Sequence, residues 1–382
     1  MKKILNSSLK QYSMLFALII LFLAFGALTG WVNVTPMNIS NMIVQNAYIL
    51  ILAIGMLLVI ITGNIDLSVG SIVGFTGAIA GVLMINMGLP TFLVVGICLV
   101  VGVIIGMFHG YFIAYKEVPA FIVTLAGMMI FRGLTMFILN GQTLAPFPDV
   151  FQKIATGFVL SDLSVGPFNL LTIIVMVCMT LIIIFTEIKK IKNSPLEFKE
   201  PSGIVMTRVA ITLVVLNFIM FSLAKYNGIP VVFIVFIAII LLYSFFMNNI
   251  TYGRHIYAIG GNYEAAEMSG IHNKRIIFAV YANMGLMAAL SGMIVAARLN
   301  AATPQAGNMF ELDAIAACYI GGASANGGKG TIIGAIIGGL IMATLNNGMS
   351  IMGVGVDIQQ TVKGVVLLIA VLFDLKSRTK KS

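Results

Sequence analysis

The feature that most constrains this chain is a series of continuous apolar runs of about 20 residues, separated by short polar stretches. As a helix, each run can cross about 30 Å of hydrocarbon, whereas a membrane β-barrel needs alternating strands of about ten residues. Charged residues make up only 9% of the chain, far below the roughly 25% typical of a soluble domain. The sequence therefore predicts an all-α integral membrane protein, a polytopic helical bundle.

Basic residues cluster between the apolar runs, and such clusters mark connections that face the cytoplasm. They occur in residues 187–208, in residues 251–275 and at the end of the chain. We predict one transmembrane domain over residues 1–382, with both termini and these two loops in the cytoplasm. The predicted crossings, about 12 with a range of about 10 to 12, are residues 14–31, 42–62, 71–85, 91–115, 121–139, 168–186, 209–223, 229–247, 276–297, 312–320, 331–352 and 361–373.

The net charge of +9 does not indicate a nucleic-acid partner, because the basic residues lack an interleaved aromatic platform. Cys98, Cys178 and Cys318 are isolated in apolar segments, and the three histidines are equally scattered. Neither set has the paired spacing of a metal site. The sequence predicts no metal site, no catalytic residue and no cofactor bound by this chain.

Residues 251–275 form a polar, glycine-punctuated stretch between two hydrophobic runs. Asn262 can cap a helix of about two turns, Glu264 falls in its first turn and Gly270 can end it. So short a helix needs bracing by the adjoining crossings or by a partner. Its exposed side chains are expected to be Tyr263, Ala265, Ala266, Glu267 and Met268. From these residues alone, an ordinary cytoplasmic loop remains the alternative.

Three runs that lie far apart in the chain carry a family resemblance. They are GRHIYAIGGNYEAAEMSGI in the 251–275 stretch, GNIDLSVGSIVGFTGAIAG at residues 63–81, and ELDAIAACYIGGASANGGKGTIIGAIIGGLIMATLNNG at residues 311–348. Together they resemble the permease subunits of the sugar-type branch of ATP-binding-cassette (ABC) importers. The resemblance covers most of the chain.

The resemblance implies that residues 251–275 are a cytoplasmic coupling loop that docks into a groove on a separate ATPase subunit, which binds the ATP and Mg. It also implies an extracytoplasmic sugar-binding protein, a second permease copy in a homodimer, and a location in the cell inner membrane. The residues expected to couple to the ATPase are Asn262, Tyr263, Glu264, Ala265, Ala266, Glu267, Met268, Ser269 and Gly270.

The additional hydrophobic pair within residues 168–223 resembles the longer permeases of D-xylose and multiple-sugar systems more than the ribose-type permeases. D-xylose or a related monosaccharide is therefore the expected solute. Two alternatives stay open: an ABC permease for a nucleoside or another small solute, and an ion-driven secondary transporter that needs no ATPase.

The glycine-rich residues 321–331, GGASANGGKGT, superficially suggest a phosphate-binding loop. The spacing differs from a Walker A loop, because Ala323 occupies the first glycine position and Gly330 separates Lys329 from Thr331. The sequence instead predicts a flexible turn leading into a packing face formed by Gly334 and Gly338.

Asp66 and Ser68 lie in a glycine-bounded break between two predicted crossings. A carboxylate at membrane depth is costly unless it is paired or hydrated, so Asp66 is a candidate residue of the translocation path, with Arg132 as its expected partner. The alternative is that Asp66 caps the following helix at the cytoplasmic end of the break. The two interpretations are equally supported.

Asn346 and Asn347 are further candidates for the translocation path, since amides can hydrogen-bond a hydroxylated solute. Asn283, Gln359 and Gln360 belong to the same class, and Tyr48, Phe75 and Phe310 offer apolar ring faces. For each of these polar residues the alternative is hydrogen bonding between helices.

Overall fold

The computed structural model describes residues 2–193 and 202–379, with side chains described over 14–189 and 205–372 except at Arg208. Most of the predicted basic loop at residues 187–208 lies outside the described side chains, and so does the basic tail. Within the described ranges the chain is a helical bundle with one small β-hairpin. The predicted all-α polytopic architecture is confirmed.

The helices are α1 (Lys2–Leu28), α2 (Pro36–Ile61), α3 (Val69–Gly81), α4 (Thr91–Ala114), α5 (Ala120–Ile138), α6 (Asp149–Thr156), α7 (Leu170–Asn193), α8 (Ser202–Ala224), α9 (Val231–Asn249), α10 (Thr251–Gly261), α11 (Tyr263–Met268), α12 (Asn273–Leu299), α13 (Phe310–Ile320), α14 (Ile332–Ile351) and α15 (Val356–Thr379). A 3₁₀ turn covers Val32–Val34, and a π-helical stretch, Val82–Asn86, continues α3. The two strands are β1 (Ser164–Val165) and β2 (Phe168–Asn169).

Nine helices in the described ranges are long and apolar enough to cross a membrane: α2, α3 with its π-helical extension, α4, α5, α7, α8, α9, α12 and α14. The other three predicted crossings correspond to α1, α13 and α15. With 11 residues, α13 is only about 16 Å long, which is too short to cross about 30 Å of hydrocarbon alone. It therefore has the length expected of a broken helix.

Prolines set the beginning of several helices. Pro36 is the first residue of α2, and Pro90, Pro119, Pro148 and Pro230 directly precede α4, α5, α6 and α9. The proline ring fixes φ near a helical value, and the missing N–H is not needed at the start of a helix. These boundaries follow directly from the sequence.

Two predicted boundaries differ in the structure. The crossing expected from Phe168 begins at Leu170, because Phe168 pairs with Val165 in an antiparallel hairpin that turns at Gly166. The first half of the 251–275 stretch, for which the sequence analysis predicted no helix, forms α10. This helix is amphipathic and rests on the bundle, so tertiary packing compensates for its short length.

The helix α2 lies at the centre of the bundle. Residues 46–62 are buried without interruption, as expected for a helix that is apolar on all sides. It packs against α8, α9, α12, α13 and α14. Around it, α4 and α12 approach at backbone distance, because a Cβ atom on Gly106 would overlap the carbonyl oxygen of Tyr281.

Contacts between the segments that connect the helices divide the helix ends into two groups, one at each end of the bundle. On one side, Gly328 N donates to Ile61 O over 2.8 Å, and Lys274 Nζ lies 2.6 Å from Glu117 Oε1. This grouping agrees with the predicted alternation of crossings, which places all four residues at the same membrane surface.

The opposite side shows the same agreement. Leu144 and Ala302 exchange two backbone hydrogen bonds of 3.0 and 2.9 Å, and Phe147 N donates to Asn300 Oδ1 over 2.8 Å. The segment 300–309 is thereby tied to the connection between α5 and α6. The alternation assigns both connections to the outer surface.

The predicted packing face of Gly334 and Gly338 is confirmed. A Cβ atom on Gly338 would overlap the carbonyl oxygen of Ala317, and one on Gly334 would overlap that of Gly321. Glycine therefore allows α14 to lie directly against the backbone of α13 and of the turn after it.

We expect Gly338→Ala to lower the free energy of unfolding by about 1–3 kcal/mol, because the added methyl group must push α14 away from α13. Thermal unfolding of the purified protein in detergent measures the change. Gly96→Ala is the matched control, since an added Cβ there meets nothing within 4 Å and alanine favours the helix. Equal unfolding midpoints for Gly338→Ala and wild type would contradict the prediction.

Candidate functional site

The second half of the 251–275 stretch has the predicted capped helix. Asn262 Oδ1 accepts a hydrogen bond from Ala265 N over 3.0 Å, and Glu264 lies in the first turn of α11. Gly270, which follows the helix, has φ of +82°, a conformation that glycine adopts easily. The cap satisfies a free N–H and the acidic residue complements the helix dipole. Both predicted ends of the helix are confirmed.

The side chains of α11 are mostly exposed, and Met268, at 88%, is the most exposed of them. The exposed residues of the predicted coupling set are Asn262, Tyr263, Glu264, Ala265, Glu267, Met268, Ser269 and Gly270. The prediction that Ala266 is exposed was wrong, since it is only 4% exposed. A helix that rests on the bundle must bury one face, and Ala266 occupies that face.

The helix is braced by the beginning of α12, as expected for so short a helix. Asn273 Nδ2 donates to Tyr263 O over 2.8 Å. The next residue, Lys274, bonds to Glu117 in the turn between α4 and α5. This bond, together with the lysine charge, lowers the pKa of the Glu117 carboxyl, and the same contact raises the pKa of Lys274.

Five residues, which we call the glycine junction, join α10 to the rest of the bundle. They are Ile61, Tyr257, Gly260, Gly328 and Gly330. A Cβ atom on Gly260 would overlap Ile61 O and lie 2.6 Å from Gly328 N. Gly328 N donates to Ile61 O over 2.8 Å, and Tyr257 Oη donates to Gly330 O over 2.7 Å.

The glycine junction brings together the three sequence runs that lie far apart in the chain. Ile61 ends α2 immediately before the 63–81 run, Gly260 belongs to the 251–275 stretch, and Gly328 and Gly330 belong to the turn after α13. That turn follows a helix, whereas a Walker A loop follows a β-strand. Its glycines serve close backbone packing.

Asp66 and Ser68 are both buried, at 1% and 0% exposure, in the break between α2 and α3. Asp66 Oδ1 accepts hydrogen bonds from Ser68 N (2.8 Å) and Ser68 Oγ (2.6 Å), and Ser68 Oγ lies 3.4 Å from His109 Nδ1. Asp66 thus forms a turn just before α3. Any contact of Asp66 or Ser68 with a solute stays a prediction.

The predicted pairing of Asp66 with Arg132 was wrong. Arg132 Nη1 instead donates to the backbone carbonyl of Ala306 over 3.0 Å. The local turn satisfies Asp66, and the segment before α13 comes close enough to α5 to take up the guanidinium group.

Asn347 forms a reciprocal amide pair with Asn38 near the start of α2. Each side chain donates to the other over 2.9 Å, and Asn347 is 7% exposed. This is the interhelical bonding that the sequence left as the alternative. Asn346 is partly buried, and its Oδ1 has no hydrogen-bond partner among the described residues. A role of either residue in the translocation path stays a prediction.

The sequence did not reveal a polar cluster at the start of α13. Asp313, which is 2% exposed, lies 3.0 Å from Lys363 Nζ and accepts a hydrogen bond from Tyr48 Oη over 3.1 Å. The Tyr48 ring stacks on Phe310 with centroids 3.8 Å apart. The acidic residues at the beginning of a short apolar run were the available signal. Their partners, on α2 and α15, could not be read from it.

Within the described part of the chain, no three His, Cys, Asp or Glu residues lie together in a way that could hold a metal ion. Most of the buried polar groups described above are engaged with other residues of the protein, whereas Asn346 Oδ1 and Asp313 Oδ1 accept no hydrogen bond among the described residues.

The chain is similar to known proteins over most of its length. Residues 38–371 match the family described as branched-chain amino acid transport system / permease component. The chain is 39% identical to the xylose transport system permease protein XylH of Escherichia coli K12, over 98% of this chain and 93% of that protein. It is 37% identical to XylH of Haemophilus influenzae over the whole of both chains.

A further relative is the ribose import permease protein RbsC of Escherichia coli K12, which is 35% identical over 89% of this chain and 86% of that protein. No solved structure is significantly similar to this chain.

We expect Lys363→Met to lower the free energy of unfolding by roughly 3 kcal/mol, because it leaves Asp313 buried without its cation. Combining it with Asp313→Asn should restore part of the loss, since the uncompensated charge is then removed. Thermal unfolding in detergent measures both variants. A double variant less stable than Lys363→Met alone would contradict the role of the ion pair.

Proposed function

Because this chain belongs to the family of branched-chain amino acid transport system / permease components, we propose that it is the membrane-spanning permease subunit of a binding-protein-dependent ABC importer that carries a monosaccharide into the cytoplasm. Its near full-length relatives are permeases named for xylose and ribose. The chain is a multi-pass protein of the cell inner membrane and a transport component, and ATP hydrolysis belongs to a separate subunit.

The observation that carries this proposal is the connection between the exposed helix α11 and the two breaks in the bundle. α11 is held by Asn262 and Asn273, and α10 leads from it to the glycine junction. Because Gly260 lies directly against Ile61 and Gly328, a displacement of α10 toward them must move both. A partner that moves α11 therefore acts on both broken segments at once.

The ATPase is the partner assigned to α11. Tyr263 and Met268 supply exposed apolar contacts, and Glu264 and Glu267 supply exposed charge. Ala265, Ser269 and Gly270 are small enough to let another surface approach closely. Asn262 and the buried Ala266 hold the helix in place and do not themselves provide docking surface.

Membership of the family supports the assignment of three partners. A separate ABC ATPase binds ATP and Mg on the cytoplasmic side, and an extracytoplasmic sugar-binding protein delivers the solute on the other side. A second copy of this chain completes the path as a homodimer. ATP and the loaded binding protein must favour different conformations of the permease, since a ligand shifts an equilibrium only through differential affinity.

The assignment of loops and termini to the cytoplasmic side rests on the distribution of basic residues. The loops at residues 187–208 and 251–275 and both termini face the cytoplasm, because lysine and arginine accumulate there. The contacts of Ile61 with Gly328 and of Lys274 with Glu117 support placing these connections on one common surface.

D-xylose or a related monosaccharide is the proposed solute. The chain matches the permeases named for xylose over more of their length than the permease named for ribose, and with somewhat higher identity. The pair α7 and α8 is the part of the chain that suggested this branch from sequence.

We expect Glu264→Lys to abolish the stimulation of ATP hydrolysis by xylose-loaded binding protein, because it reverses an exposed charge in the first turn of α11. Proteoliposomes containing this chain, its ATPase and the binding protein report the hydrolysis rate. Lys189→Glu, a charge reversal at an exposed position outside α10 and α11, should keep the stimulation.

Accumulation of xylose by this chain alone on a proton or sodium gradient would contradict the proposal and identify a secondary transporter. Stimulation by a loaded nucleoside-binding protein, with none by the xylose-loaded protein, would keep the ABC mechanism and change the solute.

We expect Gly260→Ala to keep the ATPase bound but to reduce xylose uptake per ATP hydrolysed by about tenfold, because the methyl group forces α10 away from Ile61 and Gly328. Gly261→Ala is the matched control, as its added Cβ meets nothing within 4 Å. Tyr257→Phe, which removes only the hydrogen bond to Gly330, should have a smaller effect of the same kind. Equal uptake ratios for Gly260→Ala and Gly261→Ala would exclude the glycine junction as the coupling route.

A further inference from the structure

Glu311, in the first turn of α13, is a buried acidic residue with an unsatisfied oxygen. Its side chain is 7% exposed, and Oε2 has no hydrogen-bond partner among the described residues. The guanidinium group of Arg132 does not supply the missing partner, because its Nη1 donates to Ala306 O. Burying an acidic group in this way costs free energy. Stability of this conformation therefore does not explain Glu311.

The neighbouring acidic residue, unlike Glu311, is paired with a cation. Asp313 lies 3.0 Å from Lys363 Nζ and accepts a hydrogen bond from Tyr48 Oη. The two acidic residues share one helical turn, yet only Asp313 has both a cation and a hydroxyl donor. Asp313 Oδ1 accepts no hydrogen bond either, but a cation lies beside it, whereas Glu311 has no cation within ion-pair distance among the described residues.

Glu311 lies where two discontinuous helices begin. A Cβ atom on Gly70, the second residue of α3, would overlap both Glu311 Oε2 and Gly307 O. Ile320, at the other end of α13, lies nine positions after Glu311. Glu311 therefore lies about 14 Å from the end of α13 that leads to the glycine junction, beside a break of the kind that commonly lines the substrate path in transporters.

We propose that Glu311 is a solute-binding residue, whose Oε2 accepts a hydrogen bond from a hydroxyl group of a neutral polyhydroxylated solute when the contact between Gly70 and Gly307 opens. Hydrogen bonds to a carboxylate are stronger than those between neutral groups. The stacked rings of Tyr48 and Phe310 lie beside Asp313 and offer an apolar face to the carbon skeleton of the solute.

This inference rests on the proposed function, because the solute class is that of the importer. It adds to it the residue that contacts the solute. The helix α3 and the segment before α13 would separate at Gly70 and Gly307 during transport, a contact in which neither residue has a side chain to hold the segments together.

The test measures sugar binding to the permease and ATPase complex in nanodiscs without the binding protein. Saturation-transfer NMR titrations with D-xylose, which detect weak binding, compare wild type, Glu311→Gln and the exposed control Asp162→Asn. We expect Glu311→Gln to weaken xylose binding by about tenfold and Asp162→Asn to leave it unchanged.

Deoxy analogues of xylose identify the hydrogen bond itself. Wild type should bind one analogue, lacking the bonded hydroxyl, about tenfold more weakly than xylose. Glu311→Gln should bind that analogue and xylose almost equally. Unchanged discrimination among the analogues in Glu311→Gln would overturn the proposal, and so would an absence of xylose binding by wild type.

Thermal unfolding separates solute binding from a structural role. Glu311→Gln removes an unsatisfied buried charge, so its midpoint should equal or exceed that of wild type, whereas Asp313→Asn should lower the midpoint. A joint loss of stability and binding in Glu311→Gln would assign Glu311 a structural role and overturn the proposal. Failure of the proposed function would look different: wild type, with its ATPase and binding protein, would take up no xylose.

Discussion

A backbone N–H or C=O group that faces hydrocarbon without a hydrogen bond is costly, so a chain can interrupt its helices inside a membrane only where protein covers the interruption. In the described part of this chain, the connections at residues 62–68, 300–309 and 321–331 are covered in this way. They cover one another and the adjoining helix ends. Gly328 N bonds to Ile61 O, and Arg132 bonds to Ala306 O. The end of α2 therefore meets the turn after α13, and this contact accounts for the central position of α2.

Glycine makes these contacts possible and also makes them stiff. Where Gly260 meets Ile61, or Gly338 meets Ala317, backbone lies against backbone with no side chain that could rotate to absorb a shift. Packed interiors change between discrete arrangements more readily than they deform continuously. A bundle joined in this way transmits a displacement of one segment to the next, which is what an importer driven by a separate ATPase requires.

Features that depend on near neighbours in the chain were predictable from sequence, and features that depend on distant ones were not. The Asn262 cap needs only residues three positions away, and the Gly338 packing face follows from glycine spacing on one helix. The partner of Asp66 was misassigned to Arg132, because the most obvious opposite charge in the sequence is not the nearest group in the fold. The segment that brings Ala306 to Arg132 carries no apolar periodicity that would place it.

The chain also leaves and returns to the bundle at one point. Val159 N bonds to Ile229 O and Val231 N bonds to Gly157 O, so the two ends of the stretch containing α7 and α8 are hydrogen-bonded neighbours. Part of that stretch belongs to a small hydrophobic cluster of its own, apart from the main core. The pair α7 and α8 is thus an insertion whose two ends meet. It could be lengthened, exchanged or removed during evolution without changing how α6 connects to α9, so it behaves as a separable module.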